Sequence, residues 1–117
     1  MGDVTTLQEI AEWLQPCRSY LEQGRWDFVP RKKNIDALAR LAWKPHHVKQ
    51  ILEDLHVTDY VQGPLPDQDA NQSSDFFVFG CTIDGTEFYI KCKCDVYRGC
   101  VCLSFHPAER PLHYPKR

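Results

Sequence analysis

The sequence has no long apolar run, no internal repeat and, between residues 50 and 90, no lysine or arginine. Its longest apolar stretch covers only a few residues, which excludes a membrane-spanning helix. Acidic residues come early, at Asp3, Glu9 and Glu12, and no basic segment precedes an apolar one, so we expect no secretory signal. The sequence thus predicts a cytoplasmic protein without membrane contact.

The residues that are present resemble those of an ordinary globular domain. The chain has 117 residues, of which 43% are hydrophobic and 26% are charged. These fractions are close to globular averages, and the length suits one domain with a real core rather than two. We therefore predict a single α+β domain over residues 1–117.

Charge is unevenly distributed along the chain. The formal net charge of -2 argues against a nucleic-acid-binding protein. However, residues 31–49 contain six Lys or Arg against one acid, and residues 91–117 contain six against two. Folding could bring these two basic segments onto one face, and the alternative is two ordinary solvated surfaces.

The first half of the sequence predicts three helices. Thr6 and Glu9 form a capping box, and apolar residues then recur at three- and four-residue steps, with a kink or break at Pro16. Asn34 suits the N-cap of a second helix, and Pro45 suits the first turn of a third. We expect all three helices to bury one apolar stripe.

Two further segments of this half are short or polar. Residues 26–29 alternate between apolar and polar and predict a short strand. Residues 62–75 are rich in Gly, Pro, Asp, Asn and Ser, so we expect a long polar loop with a functional role.

The last third predicts an antiparallel sheet. Strands over residues 76–83 and 86–94 flank Asp84-Gly85, a strong hairpin signal. A two-residue turn pairs Ile83 with Thr86 and makes one face apolar. Tyr89, Lys91 and Lys93 then project from the other face.

A third strand over residues 100–105 follows. A turn at Arg98-Gly99 would set Lys93 beside Ser104 and Lys91 beside His106. A β-bulge would shift this pairing, because Arg is a poor first residue for a mirror-image turn. The overall expectation is a sheet of three to five strands with about three N-terminal helices on one face.

Five of the six cysteines lie between residues 81 and 102. In the register above, Cys92 and Cys94 face the core while Cys100 and Cys102 face away, so one zinc ion cannot bind all four. The favoured interpretation is buried reduced cysteine, and no metal or cofactor is predicted. A three-residue turn would bring the four to one face, which keeps a zinc or redox protein as an alternative hypothesis.

The polar face carries the residues whose side chains could take part in catalysis. Antiparallel sheets normally have one solvated face, so each of these side chains alone is consistent with plain surface. Together, His106, Lys91 and Tyr89 supply a proton acceptor, a cation and a further donor. Those groups are the ones needed for attack of a ribose 2′-hydroxyl on its own phosphate.

Three segments also resemble a known family. These are Phe88-Tyr89-Ile90-Lys91, the later Val101-Cys102-Leu103-Ser104-Phe105-His106, and Leu55-His56-Val57-Thr58-Asp59-Tyr60 after a helix. They are similar to the MqsR family of bacterial mRNA-cleaving toxins, which have a RelE-like fold. The resemblance runs from about residue 34 to residue 106.

The resemblance implies a metal-independent endoribonuclease. It makes Tyr89, Lys91 and His106 the catalytic residues, with His106 in place of a family lysine. Gln62 falls near another family lysine, and Val78 falls near a family glutamine, so both positions depart from the family.

Beyond these catalytic positions, the predicted substrate-binding residues are Lys93, Arg98, Gln62 and Ser104. The implied partners are an RNA substrate and a cognate antitoxin with a helix-turn-helix domain. The competing hypothesis is a non-enzymatic module of the same fold that binds a protein, with the acidic loop at residues 67–75 as its contact surface.

Overall fold

A computed structural model describes residues 5–66 and 75–117 and confirms an α+β fold with N-terminal helices. The helices are α1 (Leu7–Glu22), α2 (Lys32–Leu41) and α3 (Pro45–Glu53). The strands are β1 (Trp26–Phe28), β2 (Tyr60–Pro66), β3 (Asp75–Ile83), β4 (Thr86–Asp95) and β5 (Gly99–Pro107), arranged in the order β1-β5-β4-β3-β2. Within the described ranges, no helix combines the length and the apolar character needed to cross a bilayer.

Helix α1 begins at the predicted capping box. The Thr6 hydroxyl accepts from the Glu9 amide, and the Glu9 carboxylate accepts from the Thr6 amide, both at 3.1 Å. The helix continues through Pro16, so of the predicted kink or break the break is wrong. Its buried stripe supports the helix on either side of the proline and consists of Ile10, Leu14, Cys17 and Leu21.

The sheet is antiparallel except at one edge, where β1 pairs parallel with β5. Strand β2 occupies the start of the segment predicted as a polar loop, so that prediction is wrong for residues 62–66. From Val61 onward the strand alternates between half-buried residues and exposed ones such as Gln62, a pattern that the Gly and Pro residues had concealed. The rest of the predicted loop, residues 67–74, lies outside the described residues.

Helix α2 does not begin at Asn34, because the N-cap is Arg31 and Asn34 lies inside the helix with 1% of its surface exposed. The Asn34 amide donates to Val29 O at 2.8 Å and to Leu103 O at 3.0 Å, and it accepts from Phe105 N at 3.0 Å. Since β1 ends at Phe28, Asn34 supplies the hydrogen bonds that a longer β1 would give to β5.

The β3–β4 hairpin has the predicted register, from Ile83 opposite Thr86 to Phe76 opposite Lys93. The predicted β4–β5 register is wrong. Asp95 is opposite Gly99, so three residues form the turn, and the Asp95 carboxylate accepts from Tyr97 N at 2.7 Å. A bulge then follows on β5, since Lys91 is opposite Ser104 and the next residue, Cys92, is opposite Cys102, which leaves Leu103 as the extra residue.

These two changes decide which way the residues of β5 point. Cys100 lies opposite Cys94 and Cys102 opposite Cys92, and both β5 cysteines belong to the buried core. The prediction that Cys100 and Cys102 face away is therefore wrong. Beyond the bulge, Phe105 packs in the core, while His106 lies on the opposite face, which we call the outer face.

Candidate functional site

The corrected register pairs His106 with Tyr89 rather than with Lys91. The two rings stack with their centroids 5.4 Å apart and an angle of 21° between their planes. Gly80 on β3 is opposite Tyr89 and completes this row across the sheet. Because Gly80 has no side chain, other residues of the chain can approach the sheet closely above it.

A backbone contact selects one tautomer of His106. Its Nδ1 lies 2.9 Å from the carbonyl oxygen of Pro107. A carbonyl oxygen only accepts, so in the neutral ring Nδ1 carries the proton and Nε2 retains the lone pair. His106 is thus arranged to accept a proton at Nε2.

Tyr89 is suited to donate a proton rather than to accept one. Its ring is half-buried, and burial raises the pKa of the phenol above its usual value of 10.0. The hydroxyl therefore stays protonated throughout the neutral range. The stacked pair joins a proton acceptor to a proton donor.

Lys91 and Ser104 form the next row of the outer face, with Val78 and then Gln62 beside them. This row lies two residues, about 7 Å, along the strands from the Tyr89 row. The Lys91 ammonium lies 4.1 Å from the centroid of the Phe76 ring. Ser104 is only 7% exposed, so the predicted contact between its hydroxyl and substrate has little open surface.

The other two predicted substrate-binding residues lie away from the pair. Lys93 is 3% exposed and lies opposite Val101. Arg98 is in the β4–β5 turn, where its guanidinium contacts Asp27 with an Nη2–Oδ2 distance of 2.5 Å. The structure therefore does not bring Lys93 and Arg98 together with Tyr89 and His106.

The chain after β5 folds back and forms a wall of the site. Glu87 holds this segment, since its Oε1 accepts from Leu112 N at 2.8 Å and its Oε2 accepts from the Tyr114 hydroxyl at 2.9 Å. Leu112 and Tyr114 lie over Gly80, where an added Cβ would come within 2.6 Å of Leu112 Cδ1. We call residues 108–117 the C-terminal tail.

Two cavities meet at His106. The larger has a volume of about 470 Å³ and the smaller about 300 Å³. The larger is lined by Tyr89, His106, Glu109, Arg110, Pro111 and Leu112. The smaller is lined by Lys33, Asp36, Ala37, Arg40, His106, Pro107 and Glu109. Volumes of this size lie within the range typical of small-ligand sites.

Sequence reasoning missed three basic residues of these cavities. Lys33 and Arg40 come from the first basic segment, and Arg110 comes from the second. Lys33 binds Glu109 with an Nζ–Oε1 distance of 2.9 Å, and this ammonium holds the pKa of the Glu109 carboxyl below its usual range. The segregated charge was the available signal, but only the fold shows which of its members reach His106.

Over residues 5–66 and 75–117, no three His, Cys, Asp or Glu side chains are placed to hold a metal ion. Comparisons of the chain with models of protein families, with curated proteins and with solved structures found no match. The function has to be inferred from the residues of the site itself.

Proposed function

We propose that this protein is a metal-independent endoribonuclease that cleaves single-stranded RNA. In this reaction a ribose 2′-hydroxyl attacks the neighbouring phosphodiester, leaving a 2′,3′-cyclic phosphate and a 5′-hydroxyl. The observation that carries the proposal is the stacked pair of Tyr89 and His106, with Nδ1 of His106 held by Pro107 O, at the wall of a cavity large enough for a nucleotide.

The pair provides the two proton transfers of the reaction. His106 Nε2 accepts the proton of the 2′-hydroxyl as the new P–O bond forms. The Tyr89 phenol, kept protonated by its burial, donates to the departing 5′-oxygen as the old P–O bond breaks. The proton on His106 then returns to the Tyr89 oxygen through solvent, which restores both groups.

Cations near the pair would stabilise the negative charge of the pentavalent phosphate. Lys91 lies on the next row of the outer face, and Arg110 lines the cavity. Neither has a carboxylate within ion-pair distance in the part of the chain that the structure describes. Their charge is therefore available to a phosphate, and such preorganised charge is usually the largest part of catalysis.

A ribonuclease that cleaves cellular mRNA without control would stop growth, so the proposed activity calls for a neutralising partner. The resemblance to the MqsR toxins supports a cognate antitoxin with a helix-turn-helix domain, encoded by a neighbouring gene. Expression of this chain alone should arrest bacterial growth, and coexpression of the neighbouring gene should restore it.

The direct test incubates the purified protein with a long unstructured RNA in EDTA, beside the variants His106→Ala and His46→Ala. We expect wild type and His46→Ala to cleave and His106→Ala to lose at least about a hundredfold in rate. His46 is an exposed histidine on α3 and controls for the substitution itself. Equal melting temperatures of the three proteins, and cyclic-phosphate ends by mass spectrometry, complete the assignment.

The second candidate is a non-enzymatic module that docks a protein on the outer face. The burial of Lys93 and the pairing of Arg98 with Asp27 favour it, because both reduce the positive charge that this face presents to RNA. No cleavage by the wild-type protein, or undiminished cleavage by His106→Ala, would refute the ribonuclease mechanism. The first result would favour the docking module.

A further inference from the structure

The core face of β4 and β5 carries four cysteines as two cross-strand pairs, and α1 places a fifth against them. The pairs are Cys92 with Cys102 and Cys94 with Cys100, and the fifth is Cys17. Four of the five are nearly inaccessible: Cys100 and Cys102 are 0% exposed, Cys92 is 1% and Cys17 is 4%. Only Cys94 is half-buried. We call these five residues the thiol cluster.

The closest contact in the cluster joins α1 to β5. The sulfur atoms of Cys17 and Cys100 are 2.9 Å apart, although 83 positions separate the two residues in the sequence. Cys17 also interacts with Cys94, so it lies between the half-buried thiol and the fully buried one. The three sulfurs form a path from the edge of the core to its interior.

The electrostatics of the cluster distinguish its members. The thiols of Cys17 and Cys92 hydrogen-bond to the sulfur of Cys100, and this lowers the pKa of Cys100 below its usual value. Hydrogen bonding to its neighbours raises the pKa of Cys17. Since the thiolate is the nucleophile in thiol–disulfide exchange, Cys100 is the better attacking group of the close pair.

We propose that Cys17 and Cys100 form a reversible disulfide that ties α1 to β5, with a small disulfide such as oxidised glutathione as the oxidant. Cys94 reacts first, because it is the least buried member of the path. Its thiolate attacks the oxidant, forms a mixed disulfide and releases one glutathione thiol. Cys17 then attacks the Cys94 sulfur, and its proton passes through the contacting Cys100 thiolate to the departing glutathione sulfur, which leaves as a second glutathione thiol.

The last step moves the bond inward. The Cys100 thiolate attacks the Cys17 sulfur and expels Cys94 as a thiolate, which takes up a proton. Overall, two protein thiols and one small disulfide become one protein disulfide and two small thiols. The two electrons lost by the protein sulfurs reduce the oxidant.

A disulfide fits the cluster better than a shared metal ion does. Its interactions run in series, from Cys94 to Cys17, Cys100, Cys92 and Cys102, rather than around one point. The absence of a metal-holding group from the described residues agrees with this arrangement. Bound stoichiometric zinc with all cluster thiols protected would therefore overturn the proposal.

In the test, the full chain is equilibrated with reduced and oxidised glutathione, and the remaining thiols are alkylated under denaturing conditions. The mass of the intact protein is then measured by mass spectrometry. Six alkyl groups are expected in the reduced state, one for each cysteine, and four in the oxidised state. The oxidised protein should melt at least about 5 °C higher, because a bond closing so long a loop restricts the unfolded chain.

Digestion with trypsin then identifies the cysteine that is bonded to Cys17. It separates Cys17 in residues 1–18, Cys94 in residues 94–98, and Cys100 with Cys102 in residues 99–116. We expect residues 1–18 to be linked to residues 99–116, with fragment ions that assign the bond to Cys100. Cys17→Ser and Cys100→Ser should lose the linked peptide, whereas Cys102→Ser should keep it.

The peptide assignment in the wild-type protein does not require that any variant fold. Six alkyl groups at every glutathione ratio, or a bond that ends at Cys94 or Cys102, would refute the Cys17–Cys100 disulfide. Neither result would affect the ribonuclease proposal, which concerns the other face of the sheet.

Discussion

The outer face of β4 and β5 has two ends that share strands and residue types but differ in surroundings. At one end, which we call the His106 end, Tyr89 and His106 are half-buried and border two cavities. At the other, the Lys93 end, Lys93 and Val101 are buried to 3% and 0% exposure. The comparison shows that membership of a polar face does not make a residue available to a ligand.

The difference has a structural cause at the His106 end. Gly80 has no side chain there, so the C-terminal tail can cross above the sheet and build cavity walls instead of covering the row completely. At the Lys93 end, Leu103, two positions from Val101 on β5, is also nearly inaccessible, at 6%. The Lys93 side chain is therefore part of the buried interior rather than of a charged surface.

The largest predicted effects on cleavage and on stability are those of replacing two lysines, Lys91 and Lys93, which lie two positions apart on the same face of β4. If the protein cleaves RNA as proposed, Lys91→Ala should lower kcat/KM at least about a hundredfold, because it removes the cation proposed to stabilise the phosphate charge. Its free energy of unfolding should change by less than about 0.5 kcal/mol, since Lys91 is only half-buried and makes a single cation–π contact.

Lys93→Ala is the matched variant and should behave in the opposite way. It deletes a long side chain that is 3% exposed, and the cavity left behind should cost about 2–4 kcal/mol. The kcat/KM of the folded fraction should stay within about threefold of wild type. Urea unfolding and steady-state cleavage of one oligonucleotide measure both quantities, and similar behaviour of the two variants would contradict the distinction between the ends.

The sequence predicted one hairpin of this sheet correctly for a local reason. Asp84 and Gly85 have positive φ angles of 51° and 77°, which a two-residue mirror-image turn requires and which Asp-Gly favours. The turn fixed the register of β3 against β4, and hence the apolar core face.

The second hairpin could not be predicted from local sequence. Its three-residue turn is held by the Asp95 side chain, and its bulge lies near the middle of the strands. Each feature shifts the pairing, and together they place His106 opposite Tyr89 instead of opposite Lys91, the predicted partner. The sequence predicted Tyr89, Lys91 and His106 as site residues, but not which of them lie opposite each other.

The tail lay beyond sequence reasoning for a different reason. Its contacts with Glu87 span 25 and 27 positions, and no periodic pattern or turn signal marks them. Arg110, which that segment brings to the cavity, was therefore absent from the predicted site.

A glycine substitution at the His106 end should disturb the wall of the cavity. In Gly80→Ala the new Cβ would overlap Leu112 and Tyr114, so the tail must move away from the sheet. We expect a loss of about 1–3 kcal/mol in stability and a several-fold rise in KM for RNA, with kcat reduced less. Hydrogen exchange should be faster at Leu112 N, which donates to Glu87. Unchanged exchange and unchanged KM would show that the tail does not shape the site.

The smallest effect concerns the hydrogen bond that anchors the tail. Tyr114→Phe removes the hydroxyl that donates to Glu87 Oε2, which should cost about 1 kcal/mol near neutral pH. Burial, followed by the Glu87 contact, raises the pKa of Tyr114 above its usual 10.0. The stabilisation by the protonated phenol is therefore fully present below pH 10 and is lost as pH rises from there through the folded-state pKa.

Urea unfolding at several pH values tests this dependence. The free-energy difference between wild type and Tyr114→Phe should be constant from pH 7 to pH 9 and should shrink above about pH 10. Tyr97→Phe is the control, because that ring is 90% exposed and its substitution should change neither the stability nor its pH dependence. A difference that stays constant at high pH would mean that the Tyr114 ring, rather than its hydroxyl, holds the tail against the His106 end.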